Sequence, residues 1–319
     1  MDNLCHTLVG AALGEAGMKR RAGRASGKPI PLAMPALLIG ANLPDVDILA
    51  YAWGQTTALG FRRGWTHGVP ALVLWPFILT GLLLAWDRWV RRRSRPEAEP
   101  ARPRELLLLS TVAILTHPLL DWLNTYGLRW LMPFDGTWFY GDALFIVDPW
   151  IWLALSAGVV LSRLRRNSKS ARWAVAAVCV YIVFSWSLQL ASRQVAARAL
   201  AASGRPIHRM MAGPVLANPF RREIVSDGGE GYDLGEVDWL AGPELRPRRP
   251  PYRPKNDALP GVAEAAATRE GAIFLDWARF PFFLVEESPD ARIVRMTDAR
   301  YRLERGEGFA TQTVVLPRP

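Results

Sequence analysis

The chain has 319 residues, half of them hydrophobic, with 21% charged residues, two cysteines and a formal net charge of +10. Two cysteines in apolar context, Cys5 and Cys179, exclude a disulfide framework. The positive charge does not point to nucleic acid, because it is gathered in three short clusters that each adjoin an apolar run: Lys19, Arg20, Arg21, Arg24 and Lys28; Arg88, Arg91, Arg92, Arg93, Arg95, Arg102 and Arg104; and Arg163, Arg165, Arg166, Lys169 and Arg172. Cytoplasmic loops under the positive-inside rule have this pattern.

Residues 2–17 read as a short helix, capped by Asp2 or Asn3. It falls short of the roughly 20 residues a full span needs, so a re-entrant or partly buried helix is expected. No basic n-region precedes it, and no cleavable signal peptide is expected. Residues 29–53 are apolar but broken at Pro35, Gly40 and Pro44. Pro44 disfavours helix at Leu43. Asp45 and Asp47, two apart, cannot share one face of a regular helix, yet a broken turn can bring both to one site. Residues 69–90 are the clearest transmembrane helix, with Trp86 and Trp89 as an interfacial belt at its basic end. Residues 105–123 form the next span, with His117 and Asp121 in its last turns. Residues 143–162, preceded by Asp142 and holding Asp148 near the start, form another, and the uncharged stretch 173–192 is the last.

From about residue 201 the chain is polar and rich in Pro and Gly. Strands are expected at Arg222–Val225, Glu236–Leu240, Ala272–Asp276, Phe282–Glu286, Arg292–Met296 and Thr311–Leu316, with a Pro- and Arg-rich loop from Gly242 to Pro260. Trp277, Phe280, Phe282 and Phe283 are expected in the core of this part. The fold class expected is an α-helical multi-pass membrane domain (1–200) followed by a β-rich extracytoplasmic domain (201–319). The second and third basic clusters are cytoplasmic on this reading, so the loop 124–142 and residues 201–319 face outward; Arg193 and Arg198 on that outer side run against the trend.

Charged and metal-binding side chains in apolar segments are costly and mark functional sites. Of four histidines, His6, His67 and His117 lie in apolar sequence, whereas His208 stands between Arg205 and Arg209 as a solvated residue. At 1.5 Å per residue, His117 lies about 18 Å up its helix from the cytoplasmic end, Asp121 about 24 Å, Asp148 and Asp45 about 22 Å, His6 about 18–20 Å and His67 about 30 Å. These residues therefore converge on the outer half of a core about 30 Å thick. His117 and Asp121, four apart, share one helix face. Imidazole and carboxylate together suit Zn²⁺ and other borderline metals. His67, in a Gly-flanked turn, and His6 add imidazoles; Asp45, Asp47, Asp142 and Asp148 add oxygen ligands or groups that orient ligands. Other readings stay open: helix–helix hydrogen bonds for the histidines, an N-cap at residue 143 for Asp142, and satisfaction of the break at Pro149 for Asp148. Arg63 binds an anionic head group, pairs with an aspartate, or is a plain interfacial arginine.

These motifs resemble the YdjM-type family of inner-membrane-associated, metal-dependent hydrolases. The resemblance rests on His6 in a small-residue helix, Leu43-Pro44-Asp45-Val46-Asp47, Arg63-Gly64-Trp65-Thr66-His67, His117-Pro118-Leu119-Leu120-Asp121 with Asn124-Thr125-Tyr126-Gly127, and Asp142 through Asp148-Pro149. It covers roughly residues 1–195. Family members often carry His and Ser where this chain has Arg62 and Gly68. The order of the Pro-Asp, Thr-His and His-x-x-x-Asp motifs is more distantly similar to zinc-dependent phospholipase C and P1-type nucleases, which implies phosphoester hydrolysis.

The expectation is therefore a membrane-bound hydrolase in the bacterial cytoplasmic (inner) membrane. It would use divalent metal ions, zinc foremost, held by His6, Asp45, His67, His117 and Asp121. Asp47 and Asp148 would act as base or orient ligands, and Arg63 and Asp142 would support them. Membrane lipids are the expected surroundings, and a lipid or phosphoester the expected substrate. An ion-coupled transporter and a non-catalytic scaffold are the alternatives.

Overall fold

The computed structural model describes residues 1–20, 28–301, 308 and 310–317. Arg21 and Arg24 of the first basic cluster lie outside the described residues. The chain divides into two compact units, Met1–Leu49 with Arg62–Ser185, and Ala50–Phe61 with Trp186–Pro319.

In the first unit α1 (Asn3–Leu13) starts at Asp2, whose carboxylate accepts from the amides of Leu4 and Cys5. A π-helical turn, Gly14–Met18, ends it. α2 (Ala33–Gly40) meets a 3₁₀ helix, Leu43–Trp53, at a 46° bend. Pro44 supplies no amide proton to continue α2, so the chain turns there. In chain order α3 (Gln55–Phe61), which belongs to the second unit, comes next. α4 (Val69–Trp86) continues through Asp87–Arg91 into α5 (Arg92–Ser94) as one apolar helix of 26 residues. α6 (Pro103–Trp122) packs on α2 and α4 around Ala36, Leu37, Leu79, Leu106, Ala113 and Ile114. α1 approaches α2 closely: a Cβ at Gly10 would lie 2.6 Å from the Leu37 carbonyl oxygen.

The span expected at 143–162 is displaced. α7 covers Pro149–Leu164, because Pro149 fits the first helical turn and Asp148 caps it, accepting from the amides of Trp150 and Ile151. The amides of Ala143 and Leu144 instead donate to the Leu123 carbonyl, which keeps that stretch extended. Asp142 consequently caps no helix at 143; it sits buried in this loop at φ 53°. α8 runs from Lys169 to Ala202. Among the described residues three helices are long and apolar enough to cross a membrane, Val69–Ser94, Pro103–Trp122 and Lys169–Ala202, and the bent pair α2 with the 3₁₀ helix would make a fourth.

The second unit carries two antiparallel sheets. β1 (Arg209–Val215), β2 (Asn218–Asp227), β3 (Gly231–Asp238) and β4 (Leu245–Pro254) are ordered β1-β2-β3-β4. Between the sheets in sequence lie α9 (Val262–Ala267) and α10 (Arg269–Trp277). β5 (Pro281–Glu287), β6 (Ala291–Asp298) and β7 (Thr311–Pro317) form the second sheet. Trp277, Phe280, Phe282 and Phe283 are buried. Two local expectations fail here. Ala272–Asp276 is helical, part of α10, because Thr268 caps the Gly271 amide and Phe274 and Trp277 fall on one buried face. The segment expected as a loop contains β4, whose prolines are tolerated because it pairs only with β3 and so needs hydrogen bonds on one side.

Candidate metal centre

Asp45 comes from the first turns of the 3₁₀ helix, His67 from the turn before α4, and His117 and Asp121 from consecutive turns of α6. All four are buried, and one ligand atom from each lies within 4.8 Å of the other three. The Nε2 atoms of His67 and His117 are 3.2 Å apart. His117 Nε2 is 3.6 Å from Asp45 Oδ1 and 3.5 Å from Asp121 Oδ2. His67 Nε2 is 3.9 Å and 3.5 Å from the same two oxygens.

The backs of both rings are held. His117 Nδ1 donates to the Ala41 carbonyl oxygen at 2.7 Å. His67 Nδ1 meets Thr66 Oγ1 at 2.9 Å and Asp47 Oδ2 at 3.6 Å. With the His117 proton held at Nδ1 by a carbonyl, and that of His67 at Nδ1 when it donates to Thr66, both Nε2 atoms turn lone pairs to one point, and two lone pairs cannot satisfy each other. Asp45 Oδ1 and Asp121 Oδ2, which face the same point, are buried without a hydrogen-bond partner. Donors about 2.0–2.2 Å from a tetrahedral Zn²⁺ would stand roughly 3.4 Å apart. Five of the six separations, 3.2 to 3.9 Å, bracket that value. The residues present therefore fit a small divalent cation.

Around this set a polar cradle fixes the carboxylates. Asn3 Nδ2 donates to Asp45 Oδ2 at 3.1 Å. Arg63 Nη2 donates to Asp121 Oδ1 at 3.0 Å, its Nη1 donates to Asn124 Oδ1 at 3.0 Å, and its guanidinium lies 4.7 Å over the Tyr126 ring. The Arg63 amide donates to Asp47 Oδ2 at 2.8 Å, which anchors a residue in left-handed conformation, φ 50°. Gly64 next to it leaves room for the Arg129 guanidinium, whose Nη2 would lie 2.8 Å from a Cβ built there. His6 stacks on His117 with ring centroids 3.7 Å apart, and its Nε2 is 3.3 Å from Asp121 Oδ1. The Met1 amino group lies against the same oxygen.

The structure thus brings Asp45, His67, His117 and Asp121 together, with His6, Asp47 and Arg63 in contact with them. Asp142 and Asp148 are not among the four donors. Asp148 Oδ1 caps α7 and its Oδ2 accepts from the Tyr181 hydroxyl of α8 at 2.9 Å. His208 lies on the second unit, its amide donating to the Asp227 carbonyl. The sequence assigned no site role to Thr66, Asn124 or the Ala41 carbonyl, and Asn3 stood only as a candidate cap of the first helix. Asn124 was visible only as part of a motif, and a carbonyl leaves no mark in a sequence.

Apolar spanning-length helices around a buried two-histidine, two-aspartate cluster define a membrane-type protein able to hold a metal ion. The chain belongs to the family described as YdjM inner membrane protein, which it matches over residues 1–192. It is also similar to "Uncharacterized protein YfhP" of Bacillus subtilis (strain 168), 25% identical over 169 residues, which is 50% of this chain and 46% of that protein. The match thus spans under half the length of that relative. No solved structure matches the chain.

Proposed function

We propose that this chain is a multi-pass hydrolase of the bacterial inner membrane, with a divalent metal, zinc foremost, held by Asp45, His67, His117 and Asp121, and with phosphoester or lipid-like substrates reached from the outer leaflet. The observation that carries this reading is the buried tetrad, in which two imidazole lone pairs and two unpartnered carboxylate oxygens face one point at tetrahedral spacing. A metal bound there would supply Lewis acidity and acidify a water at neutral pH. The chain's own groups have separate tasks. Asp47 holds His67 through Nδ1, and its other oxygen, buried without a hydrogen-bond partner, is the proposed proton acceptor. Arg63 fixes Asp121 and offsets its charge in an apolar wall. His6, with both ring nitrogens buried and lacking hydrogen-bond partners, is the proposed donor to a second ion shared through Asp121.

The basic clusters support an orientation with residues 88–104 and 163–172 in the cytoplasm and the tetrad toward the outer face. On that reading residues 1–200 are the membrane domain and 201–319 an extracytoplasmic one.

The test is elemental analysis of the purified chain beside its His117→Ala variant, with thermal unfolding of the wild type before and after chelation. Stoichiometric zinc in the wild type, its loss in the variant and a lowered melting temperature on chelation are expected. Metal-free wild type whose stability ignores chelation would overturn the proposal.

A further inference from the structure

Where α4 begins, two short segments are pinned together. The Val69 amide donates to the Trp130 carbonyl at 3.1 Å, and Gly68 lies so close to the Met132 carbonyl that no Cβ fits between them. Trp75 Nε1 of α4 donates to the Thr66 carbonyl at 3.0 Å, so the turn that carries His67 is tied both to α4 and to residues 130–132. This knot presents apolar side chains to the outside. Phe134 is 83% exposed, and Trp65, Val69 and Leu131 are between 41% and 50% exposed. Polar groups take over directly after Phe134, where Asp135 Oδ1 accepts from the amide and the hydroxyl of Thr137 at 2.8 and 2.7 Å. An exposed apolar patch with a polar rim marks an interaction surface.

Continuity and depth identify the occupant. The tip prolongs the outward stripe of α4, in which Val69, Val73 and Phe77 recur every four residues and are all exposed. That stripe belongs to an apolar helix of 26 residues in a chain of an inner-membrane family. From Val69 to Arg88, the first arginine of the basic cluster at its far end, the helix rises about 28 Å. A hydrocarbon core is about 30 Å thick. With Arg88 at one head-group boundary, Val69 and the tip pinned to it reach the opposite boundary, the level at which tryptophan collects. Acyl chains take up such side chains without the cost that water imposes. A second copy of the chain fits less well, because four side chains fall short of the roughly 20–30 residues a side of a stable interface.

We propose that Trp65, Val69, Leu131 and Phe134 form a wedge seated among the acyl chains of the outer leaflet, beside the turn that carries His67. The proposal rests on the membrane reading above and adds a lipid-contacting surface to it; the ligand this surface fits is the acyl part of a membrane lipid, so lipid-borne substrates are the ones the site would meet. Phe134→Cys, Leu131→Cys, Phe77→Cys and Thr137→Cys are made one at a time in the full chain carrying Cys179→Ser, since Cys179 is exposed and Cys5 buried. Each is labelled with a nitrobenzoxadiazole fluorophore, checked against the parent for melting temperature, and reconstituted in phosphatidylcholine–phosphatidylglycerol vesicles. Quenching is read with doxyl lipids labelled near the head group or deep in the acyl chain, and with iodide on both sides of the membrane. The labels at 134 and 131 are expected to be quenched at least threefold more by the shallow doxyl than by iodide, the label at 137 the reverse, and the label at 77 by the deep doxyl. Iodide quenching at 134 and 131 equal to that at 137 puts the tip in water and overturns the wedge. Protection of both positions from doxyl and iodide alike means that protein covers the tip, and overturns it too. Absence of doxyl quenching at 77 overturns the membrane reading and this inference with it, an outcome distinct from quenching at 77 without quenching at the tip.

Discussion

Thr66 and Ala41 hold the two central imidazoles from behind, and neither would be a metal ligand. Groups in such positions orient a ring and set its tautomer, and their loss typically costs 10–100-fold in metal affinity. Thr66→Val keeps the shape of the side chain and removes the oxygen that meets His67 Nδ1. Zinc affinity in this variant is expected to fall by about 10- to 100-fold, read by competition with a chromophoric chelator; wild-type affinity would mean that Asp47 alone holds the ring. His117 and Asp121 were legible in the sequence because helical spacing converts four residues into one face. Asp45 and His67 were legible as polar residues in apolar runs. The cradle was not: Arg63 meets Asn124 across 61 residues and His117 meets Ala41 across 76, and no local pattern encodes either contact.

Helix ends decide where several polar groups belong. Asp148 was expected near the chemistry, yet its oxygens serve the start of α7 and the Tyr181 hydroxyl. Replacing an N-cap carboxylate by alanine costs about 0.5–2 kcal/mol. Asp148→Ala is expected to unfold at lower temperature while retaining its zinc; loss of zinc at unchanged stability would return Asp148 to the site. α1, which delivers His6, depends on the missing side chain at Gly10, where the Leu37 carbonyl is already in contact range. Gly10→Val is expected to push α1 from α2 and to destabilise the helical unit by about 1–3 kcal/mol, as overpacking does; an unchanged denaturation midpoint would mean the two helices separate without cost. Elements were legible where period and composition agreed, as in α4 and α6. They were misread where a short apolar run fitted either period, as in α10, or where edge position overrode composition, as in β4.

At the scale of the whole molecule the proposed orientation rests on the basic clusters. Alkaline phosphatase fused after residue 204 is expected to be active, and fused after residue 97 inactive; the reverse pattern would invert the proposed topology. α8, with 34 residues, extends about 51 Å, well beyond a hydrocarbon core of about 30 Å. Hydropathy alone marked only its middle, since its charged ends resemble loops. The order in which the donors occur along the chain has a consequence of its own. Asp45 and His67 leave the ribosome long before His117 and Asp121, the one pair whose spacing is set by a single helix. A nascent chain that stops short of α6 offers an ion only two scattered donors. On the proposed reading, metal acquisition would be a late event of biogenesis, a clasp closing only once α6 is made, and a chain truncated before α6 would be left without it.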